Sequence, residues 1–147
     1  MVSIKQIKQL REETGVSIGE CNKALAESGG NIEKAKEILQ RLGKELAEKK
    51  KDRVTSHGLI ESYIHTNKKL GVLLELNCET DFVAKSKDFQ DLAHELCLQV
   101  AAIEEELPLL SQSWIKDESK TVKQLIDECI GKIGENIAVK RFIRYEL

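Results

Sequence analysis

The residues able to do covalent or metal chemistry in this chain are few and scattered. Three histidines (His57, His65, His94) and four cysteines (Cys21, Cys78, Cys97, Cys129) are spread along 147 residues, with no Cys-x-x-Cys pair. His94 and Cys97 stand three apart on one predicted helix, and Cys78 could come near them on folding. A zinc site needs about four convergent ligands, however, and Cys97 belongs to the apolar stripe of its helix. None of the cysteines has the basic neighbour or helix-start setting that activates a thiolate. Gly29-Gly30 and Gly131/Gly134 lack the strand-to-helix context and the lysine of a phosphate-cradling loop. The residues therefore predict no catalytic constellation, no metal and no cofactor.

What remains is a contact feature, Asn77-Cys78-Glu79-Thr80-Asp81-Phe82-Val83. It leaves an apolar strand-like run and sets a phenylalanine beside an aspartate at a turn. Two duties suit such a ring. Asp81 can cap a short helix with Phe82 folded back as its hydrophobic staple, or the ring can project and be buried by another protein.

The elements around it follow from periodicity and caps. Ser3 with Gln6 reads as a capping box for a helix carrying Ile4, Ile7 and Leu10, stopped at Thr14-Gly15. Ser17 with Glu20 opens a second helix, with Cys21, Ala24 and Leu25 inward. Asn31 caps a third, bearing Ile32, Ala35, Ile38, Leu39 and Leu42. Residues 1–42 thus form a small three-helix docking module. Residues 43–53 are charged helix formers and read as an exposed helical linker. The run Lys49-Lys50-Lys51 in it fits a helix C-terminus, with Glu45 and Glu48 in pairing reach, better than a nucleic-acid contact.

From residue 54 the period changes. Residues 59–65 and 70–76 predict a hairpin turning at Thr66-Asn67-Lys68-Lys69, its second strand apolar on both faces and so central and covered. Ser86 caps an amphipathic helix with Phe89, Leu92, Ala93, Leu96, Cys97, Val100 and Ile103 on one face, ended by Glu104-Glu105-Glu106 and Pro108. Leu109 to Lys116, with Trp114, give no clear pattern. A last helix starts at Ser119, and residues 137–145 close as a strand with Val139, Arg141, Ile143 and Tyr145 on one face and Lys140, Phe142 and Arg144 on the other. Residues 54–147 are therefore an α+β core, a three-stranded antiparallel sheet packed with helices.

Composition bounds the class. With 41% apolar residues and a formal net charge of −2, mildly positive up to residue 50 and mildly negative after it, the chain can bury a core but offers no polyanion-binding surface. It shows no run of roughly 18 apolar residues and no signal-peptide core. Free thiols in apolar surroundings suit a reducing compartment. A cytoplasmic, organelle-matrix or stromal protein without nucleic-acid or membrane partners is expected.

The run GVLLELNCETDFVAKSKDF resembles the core signature of elongation factor Ts. Residues 7–15, 21–25 and 30–35 resemble the ubiquitin-associated-like module at the N-terminus of that family, with Ile18 where a methionine is usual. Ile133-Gly134-Glu135-Asn136-Ile137 with Lys140-Arg141-Phe142 matches its ending. The resemblance implies a guanine nucleotide exchange factor without catalytic residues of its own, acting on elongation factor Tu. It implies that Thr80, Asp81, Phe82 and Val83 contact the GTPase and dislocate its Mg²⁺ site. It also implies that the N-terminal module docks a second time, through Leu10, Arg11, Gly15, Val16 and Ile18. Long members carry a second core half, a coiled-coil insertion and a C-terminal module, none of which is expected here, so homodimerisation is expected to compensate. The competing reading, from the three helices alone, is an adaptor module without exchange activity.

Overall fold

The computed structural model describes residues 2–103 and 107–147. Three helices come first: α1 (Ile4–Thr14), α2 (Ile18–Glu27) and α3 (Ile32–Lys50). Their starts are those the capping residues predict. Ser3 and Gln6 form the reciprocal box, Ser17 accepts from the Glu20 amide, and Asn31 accepts from the Lys34 amide. Gly15 ends α1 with φ 71°, a left-handed conformation that glycine takes without the clash a Cβ would make. Leu10, Cys21, Ala24, Leu25 and Ala35 make a small separate core.

Helix α3 does not stop at residue 42. It runs on through the predicted linker, and Gly43 and Ala47 are buried there. Ala47 joins the larger core, so the stretch read as an exposed linker is half-embedded. Its seat is α6 (Val122–Ile133), where two glycines let the backbones meet: a Cβ added to Gly131 would lie 2.8 Å from Gly43 Cα. Small residues permit so close a crossing, and the charged composition of the stretch masked it.

The α+β core is as expected in outline. Strands β1 (His57–Ile64), β2 (Leu70–Cys78) and β5 (Ile137–Glu146) form an antiparallel sheet in the order β1-β2-β5. Helix α5 (Lys87–Ala102) lies on β1 and β2, burying Phe89, Leu92, Leu96 and Cys97 against Val72, Leu74, Leu76 and Cys78. Only that face of the central strand is covered. The other presents Ile60, Ile64, Leu73, Ile143 and Tyr145 to solvent.

Three details depart from the sequence reading. A bulge skips Lys140, because Leu76 pairs with Val139 while Glu75 pairs with Arg141. The extra residue resets the alternation, so Val139 packs inward while Arg141, Ile143 and Tyr145 stay outside. Second, the Leu109–Lys116 stretch holds a short 3-10 turn (Leu109–Ser111) and leads into a two-stranded hairpin, β3 (Ser113–Trp114) with β4 (Asp117–Thr121). The buried Gln99 side chain holds it, donating to Gln112 Oε1 and the Ser113 carbonyl and accepting from the Ile115 amide. Third, Ser119 belongs to β4, and α6 begins at Val122 with a capping box of Thr121 and Gln124. Helix α5 ends at Ala102; the predicted stop at Glu104-Glu105-Glu106 lies outside the described residues. Among the described residues no helix is long and apolar enough to cross a membrane.

Candidate functional site

Asp81 to Ala84 form α4, a single turn between β2 and α5. The cap is Thr80 and not Asp81: its hydroxyl accepts from the Val83 amide at 3.3 Å. Asp81 sits in the first turn, where a negative charge meets the positive end of the peptide dipoles. Two of the four residues anchor the turn, since Val83 and Ala84 are buried in the main core. The other two face out. Phe82 is 86% exposed, which removes the staple reading. Covering such a ring with a partner would remove a large apolar area from water.

The charges are set locally. Lys85 lies 2.9 Å from Asp81, and its hydrogen bond and positive charge hold the Asp81 carboxyl below the ordinary range. Cys78, at the end of β2, is buried, and burial, reinforced by the Glu135 charge, pushes its thiol up to about 11. It therefore keeps its proton, which it donates to the Thr80 carbonyl at 3.2 Å.

The support that sequence reasoning missed comes from the far end of the chain. Glu135, in the turn between α6 and β5, accepts from the Glu79 amide at 3.1 Å, the Thr80 amide at 3.0 Å and the Thr80 hydroxyl at 2.7 Å. The Asn136 amide donates to Glu79 Oε1 at 2.9 Å, and the Asn136 side chain donates to the carbonyls of Lys51 and Arg53. Lys50 Nζ donates to the Gly134 carbonyl, and Arg53 stands 3.5 Å from Glu79. The C-terminal end of α3 thus meets the turn that presents Phe82. The Gly134-Glu135-Asn136 run was legible only as a motif, with no signal for what it would touch.

The N-terminal residues divide. Leu10 is fully buried and supports the module from within, so it presents no surface. Val16 is half-buried against the same core. Arg11, Gly15 and Ile18 are exposed, Ile18 at 54%. Gly15 faces the main domain, where the Lys132 ammonium lies 2.5 Å from the position a Cβ would take. Phe82 and this turn lie on different elements.

The metal reading fails on geometry. Cys97 and Cys78 are buried in the core while the His94 side chain is exposed. Among the described residues no three His, Cys, Asp or Glu side chains converge on a point.

This is an α+β domain with a helical module docked on its side and an exposed aromatic ring on a braced turn. Residues 79–147 match the family model described as elongation factor TS. Elongation factor Ts of Coprothermobacter proteolyticus is 41% identical over 193 aligned positions, covering 99% of this chain and 98% of its own length. That of Thermotoga maritima is also 41% identical, with 99% and 96% covered. The Gloeothece citriformis protein of the same name is 41% identical with 68% of its length covered. The chain belongs to the elongation factor Ts family. The alignment with the Coprothermobacter protein runs over 193 positions against 147 residues here, so internal positions of that relative have no counterpart in this chain.

Proposed function

We propose that this chain is a guanine nucleotide exchange factor for elongation factor Tu, and that Phe82 is its wedge. The observation that carries the reading is the contrast within α4: Val83 and Ala84 locked in the core, Phe82 almost wholly in solvent beside the Asp81 carboxylate. A GTPase holds its nucleotide through phosphate contacts and Mg²⁺. A factor that binds tightly only when those contacts are broken needs no reactive group, only differential affinity for the two states. The ring and the carboxylate would enter beside the Mg²⁺ site, while Arg11, Gly15 and Ile18 at the start of the helical module would hold the partner at a second place. Release of a fluorescent GDP analogue from elongation factor Tu tests this: the chain is expected to accelerate release at least 10-fold. An unchanged release rate at saturating protein would sink the reading.

The same reading includes a homodimer. The apolar outer face of the sheet, with Leu73, Ile143 and Tyr145 uncovered on neighbouring strands, suits a second copy better than water. Light scattering at micromolar concentration is expected to give twice the chain mass. A monomer with full exchange activity would remove this part.

A further inference from the structure

We infer that Glu135 is a positioning residue for exchange, the brace that aims Phe82 at its partner. The inference rests on the wedge reading above. A four-residue helix cannot hold itself, because a first turn fixes several residues for one hydrogen bond. Here the turn's cap is itself held from outside. The Thr80 hydroxyl has one proton, and donating it to Glu135 Oε2 leaves its lone pairs facing the Val83 amide that it caps. Glu135 Oε1 meanwhile takes the two successive amides of Glu79 and Thr80. One carboxylate thus fixes the backbone leading into α4 and the orientation of its cap, through three charge-assisted bonds.

The brace reaches across the chain. It joins residues 55 and 56 apart in sequence, and the next residue, Asn136, ties the same turn to the carbonyls of Lys51 and Arg53 just beyond α3. The direction of Phe82 is therefore set relative to the helix that carries the docking module. Removing Glu135 leaves Val83 and Ala84 in the core, so the domain stands, but the two amides of Glu79 and Thr80 and the hydroxyl of the cap lose their shared acceptor.

A double-mutant cycle on release of fluorescent GDP from elongation factor Tu tests it, using Glu135→Ala, Phe82→Ala and the pair. Glu135→Ala is expected to lower the maximal release rate roughly 10-fold, as loss of orientation does, with the half-saturating concentration within about threefold of wild type. Glu135→Gln, which keeps one acceptor oxygen, is expected to fall between the two. In the Phe82→Ala background the Glu135 substitution should cost nothing further, because a brace has no effect once the ring it aims is gone. A wild-type maximal rate for Glu135→Ala overturns the inference, as does an equal further loss in the Phe82→Ala background, which a purely structural role would give. If Glu135→Ala does not fold by circular dichroism, Glu135→Gln takes its place in the cycle. A fully active Phe82→Ala would instead remove the wedge reading on which the inference stands.

Discussion

Replacing Phe82 by alanine is expected to abolish most of the acceleration of GDP release while leaving the fold untouched. The two halves of that result follow from one number, the 86% exposure of the ring. A side chain that touches almost nothing contributes almost nothing to stability, and surface substitutions of this kind stay within about 0.5 kcal/mol. A ring that becomes the buried anchor of an interface behaves oppositely: truncating such a residue costs roughly 2 kcal/mol or more, about a 30-fold change. The loss should fall on one state of the partner. Affinity for nucleotide-free elongation factor Tu should drop by that factor, and affinity for the GDP-bound form much less. By reciprocity, the factor by which GDP weakens binding of this chain should shrink equally. Isothermal titration of the two forms reads both numbers. An unimpaired Phe82→Ala variant would falsify the wedge assignment, whatever the wild type does.

Gly131→Val is expected to give the largest stability loss tied to the arrangement of the two parts. The position a Cβ would take there lies 2.8 Å from Gly43 Cα, against backbone on a second helix and not against a side chain that could swing away. Gly43 is confined less severely, its own Cβ position lying 3.2 Å from the Asp127 carbonyl. A branched side chain must push α3 off α6, exposing Ala47 and parting Gln40 from Glu128. Overpacking of this kind costs about 1–3 kcal/mol, which for a chain of this size lowers the melting temperature by roughly 2–12 °C. The urea midpoint should fall with it. Exchange should suffer at low protein concentration, because the helical module no longer stands at a fixed place relative to Phe82. A melting temperature within a degree of wild type would show that the crossing does not bear on stability.

Helix starts were the most legible feature of the chain. Ser3, Ser17, Asn31 and Ser86 each cap the helix predicted for them, since a cap bonds an amide about three residues on and needs nothing else. The hairpin turn at residues 66–69 and the apolar face of α5 were readable for the same reason. Errors began where a distant contact decides. Lys140 is an ordinary strand residue by type, and only its partner strand makes it a bulge. Ser119 looks like a helix cap, yet the β3–β4 hairpin tied to Gln99 claims it, and Thr121 caps instead. Leu10, which the resemblance places with Arg11 and Gly15 on a docking surface, is turned inward by the three-helix packing.

The candidate site divides along the same line. Thr80-Asp81-Phe82-Val83 was visible in sequence as an apolar ring at a turn, but its two duties, staple or wedge, could not be separated there. Tertiary structure decided between them, because whether Phe82 is covered depends on where β1, α5 and the α6–β5 turn lie. The brace from Glu135 was wholly invisible, 55 residues from the amide of Thr80 that it holds. By itself, the sequence determined the caps of α1, α2, α3 and α5, the β1–β2 hairpin and an α+β core after a set of helices, since interactions within one turn or one hairpin suffice for these. Only the folded chain decided that α3 rides on α6 through two glycines, that one face of the sheet stays open, and that Phe82 points outward from a turn held at both ends. Each of these depends on how residues far apart in the chain come to lie, and no local spacing encodes it.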